Sequence, residues 1–196
     1  MEGIRLNKRN FLILHGLGGS GQDHWQTWLA EELAARNYQV FYPVFSNFDS
    51  PNKEVWLKEL ASTLDLIPKH QPLTVITHSL GCILWLHFAA RFKKNIASRA
   101  ILVAPPSPRV ILSEAQSFFP VPLDRKSLYV AAEETLFVHS SNDPYCSLED
   151  TIFYKNIGLP SITFPNMGHI NAASGHGEWP WILEQCLMTE TRAVSV

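Results

Sequence analysis

Leu73-Thr74-Val75-Ile76-Thr77-His78-Ser79-Leu80-Gly81-Cys82 runs from a short apolar stretch, through a serine, into a helix-like segment that continues to Phe92. An apolar run of this length reads as a buried strand, which places Ser79 at a strand-to-helix corner. A sharp turn there strains the serine backbone and lifts its hydroxyl clear of the sheet, beside the first free N–H groups of the helix. That placement suits a nucleophile for acyl transfer. The general pattern is G-x-S-x-G, and Thr77 stands where its first glycine would be. The bland alternative is that Ser79 only caps the helix.

Working outward, similar short apolar runs lie near Phe11–Leu14, Gln39–Tyr42, Ala100–Val103, Thr135–Val138 and Ser161–Phe164. Runs that are apolar at nearly every position, rather than at every second one, belong to strands covered on both faces, as in a parallel sheet. The segments between them read as helices. The first is expected to start with Asp23 as N-cap and Gln26 as its capping-box partner, running to Arg36. Others are expected over Asn52–Leu66, Leu80–Lys93, Ser147–Ile157 and Pro180–Met188. Alternating strands and helices imply right-handed crossovers, and so a three-layer α/β/α sandwich around a mostly parallel sheet of about six strands. Residues 1–196 read as a single domain, since the length accommodates one substantial core and two would be crowded. The one long irregular stretch, Pro105 to Lys126, holds five prolines and is too short for a large lid, with room for a short helix around Ser113–Phe118. Phe118 and Phe119 read as loop packing in preference to an acyl pocket.

Ligands of such sheets bind beyond the carboxyl ends of the strands, so partners for Ser79 are sought in the loops that follow strands. Thr135–Val138 leads into His139-Ser140-Ser141-Asn142-Asp143-Pro144, and Ser161–Phe164 leads into Pro165-Asn166-Met167-Gly168-His169. Asp143 and His169 thereby complete a serine, acid, histidine order along the chain. An activated serine needs a base for its proton and an acid to hold that base in one tautomer, and these residues supply both. Singly, Asp143 before Pro144 reads as a turn and Gly168-His169 as the start of a loop. Their joint order and location favour the triad. His78, beside the nucleophile, is expected to point away from the site and serve packing or a local hydrogen bond.

A tetrahedral intermediate also requires donors for its oxyanion. The amide of Leu80 is the first, and the loop His15-Gly16-Leu17-Gly18-Gly19 after the first strand offers Leu17 as the second, with Gly16 as fallback. The same loop spells G-x-G-x-x-G from Gly16 to Gly21, the pattern of dinucleotide-binding turns. That pattern also requires an acid at the end of the second strand, and Phe41-Tyr42-Pro43-Val44-Phe45 has none. No cofactor is therefore expected. His15, His24, His169 and His176 show no i, i+4 pairing with a carboxylate, so no metal site is expected either.

Composition narrows the partners. A net charge of −2 with scattered Lys and Arg argues against nucleic acid, and no apolar stretch approaches the roughly twenty residues of a membrane span. The first ten residues lack the apolar core of a signal peptide, so a cytoplasmic protein, without membrane association, is expected. Cys82, Cys146 and Cys186 are widely spaced and odd in number, which suits reduced thiols rather than a disulfide framework. A monomer is favoured.

Over nearly its whole length the chain resembles the retinoblastoma-binding protein 9 family of small α/β-hydrolases, in particular its YdeN-like branch. The resemblance is carried by His15-Gly16, Asp23-His24-Trp25-Gln26, His78-Ser79-Leu80-Gly81-Cys82, Asn142-Asp143-Pro144-Tyr145-Cys146 and the string Gly168 to Gly177. It implies a lidless serine hydrolase with Ser79 as nucleophile, Asp143 as orienting acid and His169 as general base. In these matching segments His24, Trp25, His176 and Trp179 flank the expected site, where they shape a substrate pocket or, for Trp25 and Trp179, simply cover the core. The Leu-x-Cys-x-Glu motif for which the vertebrate member is named is missing, since Leu80-Gly81-Cys82-Ile83-Leu84 lacks the glutamate. Retinoblastoma binding is not carried over. The expected reaction is cleavage of a small carboxylic ester, an amide or an aminoacyl ester. A binding or regulatory protein on the same scaffold is the rival, because fold alone does not secure turnover.

Overall fold

The computed structural model describes residues 9–188. Six strands form one sheet: β1 (Asn10–Leu14), β2 (Gln39–Phe41), β3 (Leu73–His78), β4 (Ala97–Val103), β5 (Ala132–Ser140) and β6 (Ser161–Phe164). Their spatial order is β2-β1-β3-β4-β5-β6, and every neighbouring pair is parallel. The α-helices are α1 (Trp25–Ala35), α2 (Lys53–Leu66), α3 (Leu80–Phe92), α4 (Arg125–Ala131), α5 (Thr151–Lys155) and α6 (Pro180–Leu187).

Both faces of the sheet are buried along the central strands β1, β3, β4 and β5, while the edge strands β2 and β6 are only partly covered. Successive side chains alternate between faces. Leu12, Leu14, Val75, Ala100, Leu102 and Phe137 join Trp56, Leu60, Leu84 and Tyr154 in one core, on the side of α2, α3, α4 and α5. Phe11, Ile13, Ile76, Ile101, Val103 and Val138 face the other way, onto Trp25, Leu29, Leu33, Ile182 and Cys186 of α1 and α6. Trp25, Trp56 and Trp85 are fully buried, each removing on the order of 200 Å² from water. The order in which strands are added across the sheet reverses between β2 and β3, so β1 lies between them and the loops after β1 and β3 open side by side.

Several local expectations change. The N-cap of α1 is His24 rather than Asp23, because the imidazole Nδ1 accepts the Gln26 N–H at 3.1 Å. The helix expected over Ser147–Ile157 contracts to α5, its start displaced by a turn in which Ser147 Oγ accepts the Asp150 N–H. Helix α4 arises inside and just beyond the proline-rich stretch, capped by Asp124 Oδ1 on the Lys126 N–H. Ser113–Phe118 forms a 3-10 helix, and Phe118 is buried against Trp56 with ring centroids 5.4 Å apart. All three cysteines are buried free thiols, and burial pushes their pKa values upward. No helix among the described residues is long and apolar enough to cross a membrane.

Burial of histidines couples stability to pH. His139, only 2% exposed, has its pKa pulled from 6.5 to about 4 by desolvation and then by Lys155. His24 is pulled to about 4 by burial and then by His169, His176 and His15. As pH falls, the unfolded chain takes up protons at these rings before the folded chain does. Their contribution is therefore complete above pH 6.5 and is lost on descent toward pH 4. At the lower end each ring forfeits roughly 3 kcal/mol. Thermal unfolding followed at constant ionic strength is expected to show Tm falling steadily across that window. A Tm independent of pH there contradicts the account.

Candidate active site

Ser79 occupies the corner between β3 and α3 with φ 53° and ψ −124°, a left-handed conformation that costs about 1–3 kcal/mol for a non-glycine residue. Neighbouring bonds hold the strain in place: the Ser79 N–H donates to Val103 O at 3.0 Å, and Ser79 O accepts the Cys82 N–H at 2.9 Å. Gly81 is required by close approach, since a Cβ there would lie 2.6 Å from the carbonyl oxygens of Leu14 and His15. Thr77, in place of the pattern's first glycine, is accommodated by turning its hydroxyl onto Cys82 Sγ at 3.0 Å. The serine side chain makes no cap bond to α3, which removes the simple N-cap reading.

Instead, the Ser79 hydroxyl donates to His169 Nε2 at 2.8 Å. On the other side of the ring, Nδ1 lies 2.9 Å from both carboxylate oxygens of Asp143, so Nδ1 carries the proton and Nε2 is the acceptor. The three residues expected from strand-end positions thus meet, with Asp143 5% and His169 6% exposed. Asp143 is itself fixed: its Oδ1 also accepts the Tyr145 N–H at 2.9 Å.

The loop bearing His169 is pinned by further side chains, three of them short polar residues for which the sequence suggests no role. Asn142 Oδ1 accepts the Gly168 N–H at 2.7 Å, and Ser140 Oγ accepts the Met167 N–H at 2.9 Å while donating to Asn142 Oδ1. Ser174 Oγ accepts the His169 N–H, and Trp25 Nε1 donates to Ile170 O at 2.8 Å. His78 does not point away: burial holds its pKa well below the ordinary value, and its neutral Nε2–H donates to the His169 carbonyl at 2.9 Å. Two loops that follow neighbouring strands are thereby locked to one another. A Ser at the end of a strand and an Asn two residues on, opposite a glycine-histidine loop, are the sequence signal for this clamp.

Beside the nucleophile, the N–H groups of Leu80 and Leu17 have no hydrogen-bond acceptor among the described residues. His15 sets the second of these. Its Nε2 accepts the Phe45 N–H at 2.9 Å, which leaves Nδ1–H to donate to Gly16 O at 2.8 Å. The Gly19 N–H donates to the same carbonyl at 3.2 Å. In a trans planar peptide the Leu17 N–H points opposite to Gly16 C=O, so anchoring that oxygen aims the amide. Gly16 itself presses on the corner, where a Cβ would stand 2.8 Å from Ser79 Cβ.

A cavity of about 140 Å³ opens over Ser79 and His169, lined also by Leu17, His24, Leu112 and Asn171. Of the four residues expected to flank the substrate, only His24 reaches it. Trp25 is committed to the core by its bond to Ile170 and its edge-on contact with Trp179 at 5.4 Å. Trp179 lies in the same buried cluster, and His176 packs on it from 6.1 Å. A larger cleft of about 480 Å³ lies at the opposite ends of the strands, between Pro68–Leu73 and Asn95–Ser98, and contains none of the three residues.

Residues 11–187 match the family model described as serine hydrolase. The Bacillus subtilis protein YdeN is 33% identical over 76 residues, a match that spans 39% of each chain. Its crystal structure superposes with a TM-score of 0.75 at 21% identity, covering 92% of this chain and 97% of that one. A YdeN-like hydrolase from Pectobacterium atrosepticum gives 0.72 at 22% identity over 90% and 88%. Est1E from Butyrivibrio proteoclasticus, solved with ferulic acid, gives 0.65 at 13% identity over 93% and 92%, which speaks to the fold alone. With the family model spanning the described core from β1 to the end of α6, the chain belongs to the serine hydrolase family and has the α/β-hydrolase fold.

Proposed function

We propose that this hydrolase cleaves small carboxylic esters, or amides, through an acyl-Ser79 intermediate. The observation that carries the reading is the continuous hydrogen-bonded run from Ser79 Oγ through His169 to Asp143. As Oγ attacks the carbonyl carbon, Nε2 of His169 takes its proton, and the electron pair of the C=O bond moves to oxygen between the amides of Leu80 and Leu17. Collapse expels the leaving group, which receives the proton from Nε2. Water then attacks the acyl-enzyme by the same sequence, freeing the acid and Ser79. Asp143 holds the tautomer and stabilises the transient imidazolium. These steps draw on the chain's own residues.

The cavity supports a short substrate. Its volume of about 140 Å³ is well below the roughly 300–1,000 Å³ of sites for drug-sized ligands. Leu17 and Leu112 give it an apolar side suited to a short acyl chain. No carboxylate among the described residues lines it, which favours a simple acyl group over an aminoacyl group carrying a charged amine. The test is a serine-directed fluorophosphonate, expected to label the peptide containing Ser79 and to stop turnover of p-nitrophenyl acetate. A folded protein that stays unlabelled overturns the reading in favour of a binding protein on this scaffold.

A further inference from the structure

Two side chains of the Ser79 cavity are each tied down by one polar atom and leave another untied. His24 uses Nδ1 to cap α1. A neutral imidazole with Nδ1 as acceptor carries its proton on Nε2, and that N–H has no acceptor among the described residues although the residue is only 5% exposed. Asn171 uses Oδ1 to cap the 3-10 helix Ala172–Ser174, accepting the Ser174 N–H at 2.9 Å and the Ser174 hydroxyl at 2.8 Å. Its Nδ2 is then left as a donor without an acceptor among the described residues. In both cases the capping bond decides which end of the side chain is free.

Position assigns these donors to one side of the reaction. The His24 ring lies 4.9 Å from that of His78, which lies 5.0 Å from that of His169, and Asn171 follows His169 by two residues. They flank the base that must protonate the departing oxygen, whereas Leu17 belongs to the oxyanion loop and packs toward the apolar core. His24 remains a neutral donor through the ordinary pH range, because burial and its histidine neighbours disfavour the charged ring.

We propose that His24 and Asn171 select the leaving group: the alcohol of the substrate carries a hydrogen-bond acceptor oxygen, a few bonds from the scissile ester, that pairs with His24 Nε2–H and Asn171 Nδ2–H. The inference rests on the ester-hydrolase reading above. A substrate oxygen that pairs with both donors is favoured over an isosteric methylene, which displaces their water and gives them no partner. An ether, carbonyl or carboxylate oxygen meets the requirement, and an alkyl alcohol does not.

The test compares kcat/KM for 2-methoxyethyl acetate and butyl acetate, which differ by an oxygen in place of a methylene, through release of acetic acid. The ratio within one enzyme is the readout, since any general loss of activity cancels in it. The unmodified enzyme is expected to prefer the methoxyethyl ester by about tenfold. His24→Ser and Asn171→Asp each keep an oxygen for the backbone N–H that is capped, and each is expected to cut the ratio by about threefold to tenfold. An unchanged ratio in both variants, while acetate is still released, overturns this inference alone. A preference for methyl 3-methoxypropanoate over methyl pentanoate, with none on the alcohol side, overturns the assignment to the leaving group. If neither acetate is turned over and Ser79 resists the fluorophosphonate, the ester-hydrolase reading falls and takes the inference with it.

Discussion

Replacing Ser79 by alanine removes turnover of short p-nitrophenyl esters, by about four to six orders of magnitude, and leaves the fold intact. Alanine cannot form the acyl-enzyme, so the residual rate reflects only water attacking a substrate held beside the Leu80 and Leu17 amides. The fold survives because the substitution deletes one atom at the floor of an open cavity. What is lost is the 2.8 Å bond to His169, worth about 1 kcal/mol for a neutral pair. Alanine inherits the same positive φ, and the bonds that hold it, Ser79 N–H to Val103 O and Cys82 N–H to Ser79 O, belong to the backbone. The expected result is a Tm within a few degrees of the parent, with both activity and fluorophosphonate labelling gone. Near-full activity in this variant would sink the nucleophile assignment.

How much of this was legible in sequence depended on how local each signal is. The central strands could be read because burial on both faces forces short runs of apolar residues, and the like run Cys82–Leu86 is told apart by the longer helical segment it belongs to. Asp143 and His169 were legible for a related reason: a strand's carboxyl end fixes where the next few residues lie, whatever their side chains do. Helix α4 was hidden because prolines before it suggested continued loop, and its capping residue, Asp124, differs little from any turn aspartate. For Trp25 and Trp179 the sequence leaves pocket wall and core cover both open, because a large aromatic at the edge of a site can face substrate or core with the same neighbours in sequence. The bond from Trp25 Nε1 to Ile170 O and the packing of Trp179 on Trp25 in the buried cluster decide for the core. The clamp made by Ser140 and Asn142 escaped for the opposite reason. Short polar residues in loops bond in many ways, and which way is settled here by strands that bring together residues 26 and 27 apart in the chain. His24 illustrates both limits at once, being a helix cap and a cavity wall.

Asp143→Asn is expected to lower kcat/KM by about three to four orders of magnitude while the protein stays folded. The carboxylate does more than hold a ring in place. Oδ1 receives the Tyr145 N–H as well as His169, so in the asparagine variant the amide oxygen is drawn to that position, where a donor awaits it. The amide NH2 then occupies the place of Oδ2, which stands 2.9 Å from Nδ1, and opposes the Nδ1 proton. The ring relieves the conflict by carrying its proton on Nε2 instead, where it can no longer accept from Ser79. Asparagine also withdraws the negative charge that stabilises the imidazolium formed in the transition state, in a pocket where Asp143 is 5% exposed and water screens poorly. Both effects act on the step, not on substrate binding, so kcat carries the loss and KM changes little. Labelling by the fluorophosphonate slows with it, because that reaction needs the same base. The two readouts separate this account from simple damage to the site: a variant with weakened KM and undiminished kcat, or one retaining a tenth of the parent's kcat/KM, would show that Asp143 serves the loop alone and leaves His169 without a catalytic acid.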